Sequence, residues 1–304
     1  MSEQRFTIEP VGAFDLSRSI RFLETWPAVR RAADDGVLRF AYCAEHDWRP
    51  VGVRVAQDGD RVDVTVVGEG SAEESLPAQI ARILSLDVDA TAVDEIARRE
   101  DTVARLTEAA PGLRPVCFWS PWEAACWAVL TQRSSMHTAA MVKQRITDAY
   151  GSSVTVDGRE LRAFPAPQVL LGAPGLPSVN PVKAARIHGL AAAALDDTLT
   201  AATLRALPSE DALALLRQLP GVGPFSAGLI LIRGAGAPDV FTTSEPRLLA
   251  AVRAAYGLPR DEPDDSCRAL AERWRPLRSW VSFWLHASAA TQSPRDVGPA
   301  PTRP

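Results

Sequence analysis

The sequence predicts a mainly α-helical protein, with a helical body over residues 101–290 preceded by a mixed α/β domain over residues 1–100. Three observations carry that reading. Stretches in which apolar and polar residues alternate, the pattern of half-buried strands, fall within the first seventy residues. Beyond about Asp101 the apolar residues recur at helical spacing. Proline and glycine then punctuate the helical stretches, where they start and stop helices.

In chain order, "RFTIEP" is expected as a short strand. "DLSRSIRFLETW" is a helix capped by Asp15 or Ser17, with Ile20, Phe22, Leu23 and Trp26 as its apolar stripe. "VLRFAYCAE" and "PVGVRVAQDGDRVDVTVVGEG" are strands, the latter folded at Asp58-Gly59-Asp60. "SLPAQIARILSL" returns to helical period. Six further helical stretches follow, with Ser120 and Ser209 as caps and Gly151 and Gly257 as stops. The proline-rich end, residues 291–304, is expected to be disordered.

The 304 residues, 46% hydrophobic and 23% charged, suffice for two domains and a sizeable core. A net charge of −4 argues against a lysine-coated binder of any polyanion, but leaves room for a local basic groove. Cys43, Cys117, Cys126 and Cys267 form no C-x-x-C pair, so neither zinc nor an iron–sulfur cluster is indicated, and buried reduced thiols are expected. "MSEQRFTIEP" lacks the basic and apolar regions of a signal peptide, and no apolar run approaches the ~18 residues of a membrane span. A cytoplasmic monomer without membrane contact is expected.

"LPGVGPFSA", residues 219–227, joins two helical stretches. Gly221 and Gly223 are free to take positive φ and to admit a second backbone. Pro224 suits a first helical turn, whose N–H groups would face a phosphate oxygen, and Ser226 adds a hydroxyl. A bare G-x-G is as readily a ligand-free turn. The full L-P-G-V-G-x-x-S-A string matches the helix-hairpin-helix signature, here over residues 213–232, which grips DNA backbone rather than sequence.

On these residues the chain resembles the helix-hairpin-helix DNA glycosylases, specifically the DNA-3-methyladenine glycosylase II type. "PWEAACWAVLTQRSSMHTAA", "FPAPQVLL" with "PVKAARIHGLAAAAL", the hairpin followed by "DVF", and "AERWRPLRSWVSFWLH" match in the family's order. The resemblance implies a helix-hairpin-helix body, duplex DNA containing damaged bases as partner, base flipping, and hydrolysis of the N-glycosidic bond. It implies no required cofactor. A structural Na⁺ or K⁺ would be held by the backbone carbonyls of Arg217, Leu219 and Val222.

The resemblance also assigns residues. Gln132 and Arg133 fall at the DNA wedge. Bifunctional relatives carry a lysine two residues after the second hairpin glycine, and here that residue is Phe225, so a monofunctional enzyme is implied. Phe225, Leu229, Trp119, Trp122, Trp280, Trp284 and His286 are candidates for the base pocket. Position 286 is tryptophan in the best-known relative. Glu245 stands where the family has its catalytic aspartate; the other reading is a solvated glutamate capping a helix that starts at Pro246. Asp239 is expected to be structural. The alternative to an enzyme is a lesion-binding homologue that has lost its chemistry. A sequence-specific regulator is disfavoured, since no helix-turn-helix is evident.

Overall fold

The computed structural model describes residues 2–29, 32–68 and 75–292. Five strands form one antiparallel sheet: β1 (Ser2–Ile8), β2 (Ala32–Asp34), β3 (Val37–Cys43), β4 (Pro50–Asp58) and β5 (Arg61–Gly68), in the spatial order β1-β5-β4-β3-β2. The helix α1 (Leu16–Thr25) links the first two strands, and the Asp15 carboxylate caps it by accepting from Ser17 N at 2.8 Å. Asp58 pairs with Arg61, so Gly59 and Asp60 form the two-residue turn, with Gly59 at φ 58°. Alternation along β5 buries Val62, Val64 and Val66 and leaves Arg61 and Asp63 exposed. Each buried valine contributes roughly 1.5–3 kcal/mol of transfer free energy.

The rest is helical: α2 (Leu76–Ile83), α3 (Thr91–Arg99), α4 (Asp101–Ala109), α5 (Pro121–Thr131), α6 (Met136–Tyr150), α7 (Pro167–Leu171), α8 (Pro181–Leu195), α9 (Ala201–Ala206), α10 (Ser209–Leu216), α11 (Pro224–Leu229), α12 (Pro246–Ala255), α13 (Asp264–Ala271) and α14 (Arg278–Gln292). Ser120 Oγ caps α5 by accepting from Glu123 N. Ser209 does not cap α10: Pro208 holds the cap position and Ser209 is the first helical residue. Gly257, at φ 63°, follows the end of α12. Thr291 and Gln292 still belong to α14, and the remainder of the expected disordered tail lies outside the described residues. No helix among the described residues is long and apolar enough to cross a membrane.

One element departs from the sequence reading. A hairpin of β6 (Ser153–Val156) and β7 (Arg159–Arg162) interrupts the helices and lies on the outer face of the large sheet. Gly52 permits this: a Cβ there would stand 2.4 Å from Val156 Cγ2 and 2.9 Å from Val154 Cγ1. Asp157, in the hairpin turn, accepts from Arg39 at 2.7 Å and lies 3.2 Å from Arg54.

Three buried cations join sheet and helices. The Arg114 side chain donates to the carbonyls of Val11, Gly12, Ala13, Ser85 and Val88, so its guanidinium is fully bonded. Arg82 pairs with Glu45 at 2.8 Å and donates to Trp119 O at 2.8 Å. Lys143 pairs with Glu123 and donates to Ala28 O.

Candidate active site

Between α1, the helix that begins at Pro224, the start of α12 and α14 lies a cavity of about 840 Å³. Phe225, Leu229 and Ile232 line it from one face of their helix, at the i, i+4, i+7 spacing that places side chains in a row. The helix then widens into a π turn over Ile230–Gly234, closed by Ala235 N donating to Ile230 O at 2.8 Å. Gly234 permits close packing on α5, since a Cβ there would meet Ala124 Cβ at 2.9 Å.

Arg233, within that π turn, also lines the cavity. Its guanidinium lies over Trp26 at 4.2 Å, Phe283 at 5.2 Å and Phe22 at 5.3 Å. Nε and Nη2 both donate to Val116 O, at 3.0 and 2.6 Å. Burial pulls its pKa down to about 10, so it remains a cation at neutral pH.

Glu245 is the residue before the first turn of α12, with Pro246 the first helical residue. Its side chain makes no cap hydrogen bond. It faces the cavity instead, with Oε1 3.1 Å from His286 Nε2. Both side chains are about one-third exposed, at 32% and 34%. The distance is that of an ion pair, but the contact lacks hydrogen-bond alignment, and Nε2 has no aligned partner. Asp239 lies apart, held by Arg278 Nε and Arg275 Nη1 at 2.7 Å each.

Of the aromatic candidates, Phe225 (46% exposed) and Trp284 (5%) line the cavity, as do Leu229 and His286. Trp284 Nε1 donates to Leu113 O at 2.9 Å, which fixes its ring. The other three tryptophans are core residues. Trp119 stacks on Phe40 of the sheet at 4.3 Å, and Trp122 Nε1 donates to Pro165 O at 3.0 Å. Trp280 packs edge-on to Trp284 at 6.0 Å and beneath Arg114 at 5.6 Å. Helical spacing does not separate a buried indole from one that borders a cavity.

The hairpin, which joins α10 to α11, divides its glycines' roles. Gly221 has φ 78°, whereas Gly223 has φ −92° and ψ −177°, which any residue adopts. What Gly223 provides is space: nothing lies within 4 Å of where its Cβ would be. Ser226, three residues on, is largely buried, at 7% exposure. Val222 N donates to Leu219 O at 3.1 Å in the tight turn after Arg217. Gln132, at the end of α5, donates through Nε2 to Gly221 O and accepts from Arg186. The next residue, Arg133, is exposed and left-handed at φ 52°.

Sequence reasoning missed the contributions of α1 and of Arg233. Arg18, Arg21 and Phe22 form the wall on the sheet side. The apolar stripe of α1 is visible in the sequence, but not what it packs against. The signal for Arg233 is a lone cation ending the apolar run "LILIRG".

No protein-family model matches the chain. It is 24% identical over 216 residues to a DNA-3-methyladenine glycosylase of Bacillus subtilis, covering 70% of this chain and 71% of that protein. It is 34% identical over 187 residues to DNA-3-methyladenine glycosylase 2 of Escherichia coli, covering 59% of this chain and 61% of the relative, so it spans less than two thirds of that protein's length. Among solved structures, a 3-methyladenine DNA-glycosylase from Archaeoglobus fulgidus superposes with a TM-score of 0.80 at 22% identity, over 95% of this chain and 99% of that one. Motifs, relatives and fold point the same way: the chain is similar to DNA-3-methyladenine glycosylases over most of its length, and its fold is that of the Archaeoglobus enzyme.

Proposed function

We propose that the protein is a monofunctional DNA glycosylase of base excision repair, which hydrolyses the N-glycosidic bond of alkylated, 3-methyladenine-like bases flipped out of duplex DNA. The observation that carries this reading is that Glu245 and Phe225 face one cavity. The names of the Bacillus and Escherichia relatives support it.

In this reading the hairpin receives a phosphate at Gly223, where the backbone is open to close approach. Arg133, exposed at the turn after α5, enters the space the flipped nucleotide leaves. The damaged base stacks on Phe225, since an alkylated purine is cationic and is drawn to a ring face. The Glu245 carboxylate stands beside the sugar. As the C1′–N bond breaks, its electron pair leaves with the base, and the carboxylate stabilises the positive charge on the sugar. Water adds to C1′ and gives up its proton to complete hydrolysis. A Schiff base needs an amine, and Phe225 offers none. A monovalent cation held by the carbonyls of Arg217, Leu219 and Val222 belongs to the same proposal. The turn that places Val222 N 3.1 Å from Leu219 O already gathers two of those residues.

Single-turnover release of a methylated purine from duplex DNA tests the reading. Wild type should release the base, and Glu245→Gln should be slower by on the order of 10²–10³-fold while still binding DNA. Borohydride should trap no covalent adduct. A wild-type chain that binds abasic DNA tightly yet frees no methylated purine would refute the enzyme.

A further inference from the structure

A carboxylate at the start of a helix ordinarily accepts from that helix's free N–H groups. Glu245 does not: it leaves α12 uncapped on the side-chain side and turns toward the cavity. A glutamate directed there has three free torsions and no helical backbone of its own to hold it. The group that meets it is His286, with Nε2 3.1 Å from Oε1.

The two residues differ in backbone setting. Glu245 has extended backbone, φ −114° and ψ 97°, between the loop and α12. His286 lies inside α14, on the same face as Ser282 and Phe283, which also line the cavity. The start of α14 is anchored: Arg278 is paired with Asp239, Ser279 N donates to Pro238 O at 3.0 Å, and Ser279 Oγ accepts from Val240 N at 3.0 Å. His286 is therefore carried on an anchored helix, and Glu245 on extended backbone just outside one. Nε2 is buried with no aligned hydrogen bond and lies 3.1 Å from Glu245 Oε1, so its capacity is unspent beside that carboxylate.

We propose that His286 is a positioning residue, whose Nε2 holds the Glu245 carboxylate against the sugar of the flipped nucleotide. This inference rests on the glycosylase reading above. It makes the histidine part of what allows the longer acid to serve. A carboxylate misplaced by ~1 Å loses about 10²-fold in rate, and a contact from an anchored helix removes much of that freedom.

The test uses the full chain as wild type, His286→Ala, His286→Gln and Glu245→Gln, together with the double variant Glu245→Gln/His286→Ala. Affinity is measured for two duplexes, one with a cationic pyrrolidine abasic analogue and one with its neutral tetrahydrofuran counterpart. A positioned carboxylate prefers the cation. His286→Ala should lower that preference about tenfold, on the order of one lost charge-assisted contact, with the neutral duplex as the reference for any general change in binding. His286→Gln, whose amide N–H reaches the same place, should restore most of it. Single-turnover excision should follow the same order, and the double variant should be no slower than Glu245→Gln alone. If residue 286 changes neither the preference nor the rate, the assignment is overturned, even where wild type excises normally. If wild type excises nothing but its preference for the cation depends on His286, the pairing stands and the glycosylase reading falls. If wild type neither excises nor prefers the cation, both fall.

Discussion

The side-chain amide of Gln132 donates to the backbone carbonyl of Gly221 at 2.7 Å, tying the turn after α5 to the turn of the hairpin. Residues 89 apart in sequence are thereby held as one surface, the one that meets DNA in the proposed function. A side chain at Gly221 is strained, because φ is 78°, and its Cβ would stand 2.5 Å from Arg186 Cδ and displace that side chain. Gly221→Ala should therefore destabilise the fold by roughly 1–2 kcal/mol or more. Gly223→Ala, with ordinary φ and open space, should leave thermal stability within about 0.5 kcal/mol. It should nonetheless weaken duplex binding several-fold for all sequences alike. Thermal melts and binding isotherms at fixed salt check the pair. Equal melting losses at the two glycines would refute this division of roles.

Arg133 is a left-handed, exposed, non-glycine residue. Arg133→Gly should remove about 1 kcal/mol of backbone strain and raise the melting temperature. On the proposed function the same change should slow excision, because the side chain assigned to the vacated stack is lost. Gain in one measurement with loss in the other is the expected signature. A parallel fall in both would mark Arg133 as a structural residue.

Lys143→Met should be among the most destabilising changes in the chain. Lys143 and Glu123 are buried together, so methionine would leave a carboxylate uncompensated, at a cost of about 3–5 kcal/mol. The double variant Lys143→Met/Glu123→Leu should recover most of that loss. Urea titration of the two variants and wild type distinguishes a lost partner from a lost volume.

Alkaline pH should leave the native thiols silent. Burial pushes the Cys43 thiol up to about 12 and raises Cys117, Cys126 and Cys267 as well. An exposed thiol ionises near ~8.5, so at pH 9 the Cys43 thiol stays protonated in the native protein, whereas in the unfolded chain it largely ionises. Stability from this source is present below that pH and falls as pH rises toward 12. A disulfide reagent at pH 9 should label no cysteine of the native protein promptly and all four after unfolding. Prompt native labelling would contradict the burial.

What the sequence disclosed was local. The turn at Gly59, the cap at Asp15 and the hairpin helix beginning at Pro224 are each set by a few adjacent residues. Phe225 and Leu229 were readable as one helical face. The hairpin of β6 and β7 was equally local, since Asp157-Gly158 follows the alternating Val154 and Val156, and it was simply overlooked. Other features needed distant partners. Trp119 and Trp284 are alike as sequence candidates, but the sheet covers one and a cavity borders the other. At Gly223 only half of the expectation fails: φ is −92°, while the open space for a second backbone is there. The position of Arg233 depends on a π turn, which no apolar period announces.

Phe22 of α1 meets Phe283 of α14 edge-on, with ring centroids 4.8 Å apart. The cavity thus closes where opposite ends of the chain touch. A fragment starting at Asp101 would retain the hairpin and Glu245, yet its reaction chamber would be a trench flooded by solvent, in which neither charge nor base is sheltered. The same holds during synthesis: a nascent chain has no finished chamber until the residues of α14 have emerged and met the first helix. On the proposed function, grip on DNA needs only the hairpin and the turn after α5, while cutting requires a chamber walled by both α1 and α14.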